Sequence, residues 1–147
     1  MESLLNDHII QQIKEAFKNL KEPVQILFFS TKEDCETCRE TRHLLEEVTA
    51  LDQKLGLEMH DFDTEKELAG EFQVTKAPTI VVAAVDGGKT KNLGIQFAGI
   101  PAGYEFSTLI NDILMVSGRN SGLSSSAREF LKSLDKPLHL QVLVTPT

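Results

Sequence analysis

The stretch Asp34-Cys35-Glu36-Thr37-Cys38-Arg39 contains the only two cysteines of the 147-residue chain, and they are spaced as Cys-x-x-Cys. Before it, the apolar run Val24–Phe29 predicts a buried strand, and after it apolar residues recur at helical spacing from Glu40 to Leu55. The cysteines are therefore predicted to lie where a strand turns into a helix. Residues three apart on a helix face each other, so the two sulfurs are placed to close a disulfide with little backbone movement.

The helix start predicts different roles for the two cysteines. Unpaired backbone N–H groups and the helix dipole favour a thiolate at this end of a helix. We therefore predict that Cys35, the outer residue, is the attacking sulfur and that Cys38, further into the first turn, is the resolving one. The alternative is a zinc site, but zinc takes four ligands and the remaining candidates, His43 and His60, lack the spacing of a zinc finger. We expect redox chemistry and no metal.

The composition narrows the classes of function. A net charge of −7 argues against nucleic-acid binding, which requires a basic face. No apolar run approaches the length of a membrane span. The first residues lack the basic, apolar and small-residue order of a signal peptide, so we expect a cytoplasmic protein. In that compartment a Cys-x-x-Cys is more often catalytic or metal-binding than structural.

The remaining pattern predicts an α/β fold. The predicted elements are a helix over Leu4–Leu20, the strand and helix around the cysteines (the helix ending at Gly56), a strand over Leu57–Phe62, a helix over Thr64–Phe72, a strand after Pro78, a returning strand over Asn92–Ala98 and a helix over Glu105–Val116 closed by Gly118. Asp63 or Thr64 would cap the third helix, with Glu67 completing a capping box. This order predicts a mixed sheet with helices on both faces.

The chain beyond Gly118 predicts the start of a second unit. Residues 119–126 are small and polar, which is typical of a linker. A helix over Ala127–Leu134 and a strand over Leu138–Val144 follow, and their order of helix, proline, apolar strand and threonine repeats that of the N-terminus. We therefore predict a first module over residues 1–118, a linker over 119–126 and, over 127–147, the first helix and strand of a truncated second module.

With these elements in place, the chain resembles the thioredoxin superfamily. The residues that carry the resemblance are the strand, the Cys35-Glu36-Thr37-Cys38 helix start and the later Ala77-Pro78-Thr79. In that family the proline is cis and packs against the active-site sulfurs, and the residue before it hydrogen-bonds the substrate backbone. The resemblance implies these substrate-binding roles for Pro78 and Ala77, and a thioredoxin-like fold with an extra N-terminal helix.

The leading helix and the tail are similar to the N-terminal half of glutaredoxin-like protein disulfide oxidoreductases, which carry two thioredoxin folds in tandem. This resemblance implies a thiol–disulfide oxidoreductase that acts on protein disulfides, needs no bound cofactor and is reduced by a flavoprotein of the thioredoxin-reductase type. A second hypothesis is an electron-relay and interaction module whose main active site lies in another module, as in the tandem domain of bacterial peroxidase-reducing flavoproteins.

Two features depart from the family pattern. Many thioredoxins bury an acid on the strand before the first cysteine, where this chain has Phe29. Asp34 and Glu36 flank Cys35, and two nearby carboxylates raise the pKa of a thiol, which Arg39 and Lys32 would partly offset. We therefore expect Cys35 to be less acidic, and the pair more reducing, than in the strong oxidants of the superfamily.

Overall fold

The computed structural model describes residues 4–32 and 35–144. The elements found within these residues are α1 (Asp7–Phe17), β1 (Val24–Ser30), α2 (Glu36–Thr49), β2 (Leu55–Asp61), α3 (Lys66–Glu71), β3 (Thr79–Asp86), β4 (Lys89–Ala98), α4 (Tyr104–Ser117) and α5 (Ser125–Lys132). The predicted order, β-α-β-α-β-β-α after one extra helix, is confirmed. In the described part of the chain, no helix is both long and apolar enough to cross a membrane.

The strands form one mixed sheet in the order β2-β1-β3-β4. β1 runs parallel to β2 and antiparallel to β3, and β3 and β4 form an antiparallel hairpin. The hairpin turns at Gly87 and Gly88, whose φ angles of +57° and +76° are those that a two-residue turn requires and that glycine adopts without strain. The α/β fold class predicted from the sequence is confirmed.

Each face of the sheet is covered by helices, and β1 contributes to both cores because its side chains alternate. Ile26 and Phe28 point to the larger core, where α1, α2 and α4 pack. Leu27 and Phe29 point to the smaller core, which is closed by α3 and the residues after it. All four side chains are at most 2% exposed. This burial on both faces is why β1 is a continuous apolar run, and it fixes the strand that leads into the cysteines.

The helix that carries the cysteines ends earlier than predicted. α2 stops at Thr49 and not at Gly56. Asp52 forms a turn by accepting a hydrogen bond from the Lys54 N–H at 2.9 Å, and Leu55 already belongs to β2, opposite Val24. Leu55 is buried in either arrangement, so its helical spacing in the sequence does not reveal where the helix ends.

The predicted capping box of the third helix is wrong. α3 begins at Lys66, its N-cap residue is Glu65, and no side chain caps it. The Glu65 carboxylate instead accepts the Asp61 N–H at 2.7 Å and contacts His60 Nδ1 at 2.8 Å. Asp63 is also engaged elsewhere, because its carboxylate accepts the Thr31 hydroxyl at 2.7 Å. These contacts come from the adjacent β1–β2 pair, which local sequence does not encode.

The tail forms the predicted helix but not the predicted strand. α5 has no buried residue. Residues 138–144 have no strand structure, and the apolar side chains among them are 61–86% exposed. A strand needs a hydrogen-bonded neighbour, and none of the four described strands pairs with this segment. The division into linker and second module stays a prediction.

Candidate active site around Cys35 and Cys38

The two cysteines form a disulfide at the start of α2. Cys35 is the N-cap residue of this helix, with φ −112° and ψ 91°, and Cys38 lies in the first turn. Their sulfurs are 2.04 Å apart and their Cα atoms 5.2 Å apart. The backbone N–H of Cys38 donates to Cys35 Sγ at 3.1 Å. The predicted pairing across one helical turn is therefore confirmed.

The two sulfurs differ in their surroundings. Cys38 is 5% exposed and belongs to the larger core, next to the buried Thr41 of the following turn. Cys35 is only partly buried. After reduction, the N–H that already points at Cys35 would stabilise a thiolate there, since hydrogen bonds to the charged form favour it. This asymmetry supports an attacking Cys35 and a resolving Cys38, an assignment that stays a prediction.

Ala77 and Pro78 lie at the same end of the sheet as the cysteines. Their peptide bond is cis, and the next residue, Thr79, pairs with Phe29 near the end of β1. The Pro78 carbonyl accepts the Gly99 N–H at 2.9 Å. By contrast, neither backbone polar group of Ala77 is hydrogen-bonded to another described residue. The N–H and C=O groups of Ala77 are therefore available to hydrogen-bond a ligand at the end of the sheet where the disulfide lies.

Beside the disulfide is an open cleft of about 390 Å³. It is lined by Phe28, Ser30, Thr31, Lys32, Cys35, Cys38, Arg39 and Arg42. Three of these side chains are basic and none is acidic. Sequence reasoning missed Arg42, although its spacing from Cys35, Cys38 and Arg39 places all four on one helix face. We name this feature, defined by these eight residues, the basic cleft.

The three cations of the basic cleft are held differently. Lys32 Nζ lies 3.0 Å from Asp61 Oδ2. The hydrogen bond between them raises the pKa of Lys32. The same hydrogen bond, and after it the one that the Asp63 N–H donates, lowers the pKa of Asp61. Arg42 Nε pairs with Glu46 at 2.8 Å. Arg39 is exposed and has no ion pair with any described residue.

The structure describes only some of the charged neighbours that are predicted to set the pKa of Cys35. Glu36 and Arg39 are both exposed on the first turns of α2. Asp34 lies outside the described residues. The roles of Asp34, Glu36 and Arg39 in setting the pKa of Cys35 therefore stay predictions.

Phe29, which stands where many thioredoxins bury an acid, faces away from the disulfide. Its ring stacks on His60, with centroids 5.2 Å apart, and lies near Phe72 in the smaller core. His43 is largely buried: its side chain is 19% exposed, and its Nε2 lies 2.9 Å from Glu47 Oε1. Among the described residues, no group of three or more His, Cys, Asp and Glu side chains is placed to hold a metal ion.

Sequence comparison places the chain beside part of larger proteins. No protein-family model matches it. It is 29% identical over 144 residues to the F component of alkyl hydroperoxide reductase from Staphylococcus aureus, and 29% identical to the same component from Staphylococcus epidermidis. Each match covers 98% of this chain and 25% of the relative. The chain thus spans a quarter of the length of the curated relatives that it matches.

Solved structures share the fold. A protein disulfide oxidoreductase from Aeropyrum pernix is 28% identical with a TM-score of 0.74, over 88% of this chain and 55% of that one. The NTD_N/C domain of alkylhydroperoxide reductase AhpF from Enterococcus faecalis is 30% identical with a TM-score of 0.78, over 90% of this chain and 62% of that one. Both of these solved chains extend beyond the part that this chain matches.

The mixed four-stranded sheet, the disulfide at the start of α2 and these similarities agree with one another. A disulfide between an accessible and a buried cysteine is the chemical group that thiol–disulfide exchange requires. The chain has a thioredoxin-like fold with the redox disulfide of a thiol–disulfide oxidoreductase at the start of α2.

Proposed function

We propose that the reduced chain transfers two electrons to a disulfide in another protein. The Cys35 thiolate attacks one substrate sulfur, forming a mixed disulfide, and the other substrate sulfur leaves as a thiolate that is protonated by water. Cys38 then gives up its proton and attacks the Cys35 sulfur, which releases the second substrate thiol. The substrate disulfide is reduced to two thiols, and the Cys35–Cys38 pair is oxidised to the observed disulfide.

The observation that carries this proposal is the unequal setting of the two sulfurs. Cys35 is partly accessible and accepts an N–H from the helix start, whereas Cys38 is 5% exposed. An entering disulfide therefore reaches Cys35 first. Cys38 is buried behind it, at the distance from which a disulfide closes.

The backbone around the cis bond supports a place for the substrate chain. Ala77 has no hydrogen-bond partner for its N–H or C=O among the described residues, and it lies at the same end of the sheet as the disulfide. We propose that an extended substrate segment hydrogen-bonds to Ala77 while Pro78 lies beneath the reacting sulfurs. Strand-like pairing of this kind provides affinity with little dependence on sequence.

The electron donor that we propose is a flavoprotein reductase of the thioredoxin-reductase type, in the reducing cytoplasm. The family resemblance supports it, and so do the curated relatives, which are named as components of alkyl hydroperoxide reductase. Those relatives also favour the second candidate, because the chain covers only 25% of their length. In that case the chain relays electrons between a reductase and another disulfide centre.

Trapping of the mixed disulfide tests the order of attack. The Cys38→Ser variant, reduced and mixed with insulin, is expected to form a covalent adduct through Cys35, because the resolving sulfur is missing. The Cys35→Ser variant is the matched control and is expected to form much less adduct, since its remaining thiol is buried. Mass spectrometry of the non-reduced proteins measures both. Preferential trapping on Cys38 would contradict the proposal.

Turnover distinguishes direct reduction from relay. With dithiothreitol as the electron source, a direct oxidoreductase is expected to reduce insulin repeatedly, and Cys35→Ser is expected to abolish this. A relay module would instead exchange electrons rapidly with a reductase while turning over insulin poorly. Stopped-flow and turbidity measurements on the same preparation compare the two rates.

A further inference from the structure

The charged side chains that define the basic cleft are opposite in sign to the net charge of the chain. The chain carries 22 acidic and 15 basic side chains, yet among the described residues that line the cleft beside the disulfide, all the charged ones are basic. Lys32 comes from the segment after β1, and Arg39 and Arg42 come from successive turns of α2. Within the described lining, the charge beside the sulfurs is therefore positive in an acidic molecule, while Glu33 and Asp34 lie outside the described residues.

Each cation has a different capacity to bind a ligand. Lys32 is held by Asp61 at 3.0 Å and Arg42 by Glu46 at 2.8 Å, so their charges are partly neutralised. Arg39 is exposed and forms no ion pair with a described residue. Its guanidinium offers a fork of N–H donors that matches a carboxylate.

The acids of α2 leave this donor available. Glu36 and Glu40 are exposed on the same helix, but neither lines the basic cleft. An Arg39 side chain that is not neutralised beside Cys35 provides an attraction for negative charge on the molecule that brings the disulfide. Ser30, at the end of β1, adds a hydroxyl group to the wall of the cleft, whereas the Thr31 hydroxyl already donates to Asp63.

We propose that the basic cleft binds an acidic segment next to the disulfide of a protein substrate, with Arg39 as the main contact. This inference rests on the proposed function and adds the class of substrate. The cleft is open and lies at the same end of the sheet as Ala77, which does not line it, so an extended peptide that reaches both fits better than an enclosed small molecule. A carboxylate within a few residues of the substrate cystine reaches Arg39 while the cystine reaches Cys35.

Matched peptides test the preference. Three peptides contain the same disulfide and differ only in its flanking residues, which are Glu, Gln or Lys. The full chain is expected to reduce the Glu peptide about two- to five-fold faster in kcat/KM than the Gln peptide, mostly through KM, and the Lys peptide more slowly still. Raising the salt concentration is expected to remove the difference.

Variants locate the effect. Arg39→Gln is expected to abolish the preference between the Glu and Gln peptides, and Arg39→Lys to retain part of it. Lys132→Gln is the matched control, because it removes an exposed positive charge on α5 and is expected to leave the preference intact. A change in the pKa of Cys35 would alter the rates with all three peptides together, so the ratio of rates reports recognition alone.

A binding measurement separates the two proposals. The same peptides with a thioether in place of the disulfide are titrated against the oxidised chain by fluorescence anisotropy. If the thioether Glu peptide binds in an Arg39-dependent way but none of the disulfide peptides is reduced, the cleft proposal is supported and the proposed function is overturned. Equal rates and affinities for all peptides, or a preference that persists in Arg39→Gln, would overturn the cleft proposal.

Discussion

Asp112, on α4, has a carboxylate that the fold partly buries, and this burial is the cause of its altered pKa. Partial burial raises its pKa above the ordinary 3.8. An acid with a higher pKa in the folded than in the unfolded chain reduces stability when it is ionised, and the penalty disappears below the unfolded pKa. We predict that Asp112→Asn raises the urea midpoint at pH 7 and that the gain shrinks as the pH falls towards about 3.

Urea denaturation at several pH values, followed by circular dichroism, measures this effect. Asp135→Asn is the control, because Asp135 is exposed after α5, and its midpoint is expected to match that of the unmodified chain at every pH. A gain for Asp112→Asn that is independent of pH would show that the amide stabilises by packing and not by removing charge.

At the same scale, the sequence predicted the disulfide with Arg39 and Lys32 near it, but not Arg42 or the ion pair between Lys32 and Asp61. Cys35 and Cys38 are one helical turn apart, so local spacing was sufficient to place them together. The position of Lys32 depends on Asp61, which reaches it only because Ser30 and Asp61 are opposite each other in the parallel pairing of β1 and β2. That register is a long-range property, which a local pattern does not contain.

At the scale of elements, Ser117 joins the end of α4 to the connection between α1 and β1. Its side chain is fully buried. Its Oγ accepts N–H groups from Lys21 at 2.8 Å and Glu22 at 3.1 Å, and donates to the Glu22 carbonyl at 2.7 Å. This one hydroxyl satisfies backbone groups of a turn that lies more than ninety residues away along the chain.

We predict that Ser117→Ala destabilises the fold by about 1 to 3 kcal/mol, because the part-buried Lys21 N–H and Glu22 carbonyl lose their hydrogen bonds to this hydroxyl. The free energy of unfolding in urea measures the loss. Ser107→Ala, an exposed position on the same helix, is expected to change it by less than about 0.5 kcal/mol. Equal effects of the two substitutions would show that the Ser117 hydrogen bonds contribute no more than helix propensity.

The elements themselves follow the sequence where hydrophobic periodicity is decisive. α1, β1, the β3–β4 hairpin and α4 lie where the pattern predicts them, since each has one apolar face or a buried apolar run. The errors occur where a residue is buried in either structure, as at Leu55, or where a polar side chain has a distant partner, as at Glu65. Leu138–Val144 has the pattern of a strand, but a pattern becomes a strand only beside another edge.

At the scale of the whole molecule, the stability of the fold is concentrated before residue 120. α5 buries no side chain, and the segment after it is exposed. Arg119 is different, although it falls in the predicted linker: its guanidinium donates to the Val85 carbonyl at 2.7 Å and to Asp86 Oδ1 at 3.0 Å. It also reaches the Pro23 carbonyl at 3.3 Å. Arg119 therefore ties the residue before β1, the end of β3 and the end of α4 together, although it lies in the predicted linker.

Two shortened chains test this division. A chain that ends at Ser121 loses α5 and the tail but keeps Arg119, so we predict a free energy of unfolding within about 0.5 kcal/mol of the full chain, together with an unchanged Cys35–Cys38 redox midpoint. A chain that ends at Gly118 also loses the Arg119 contacts and is predicted to be less stable by about 1 to 3 kcal/mol, because charged hydrogen bonds to backbone carbonyls are removed. Urea unfolding and a titration in dithiol buffers measure the two quantities. A large loss already at Ser121 would mean that α5 or the tail stabilises the first module, and the two-unit organisation would then have to be abandoned.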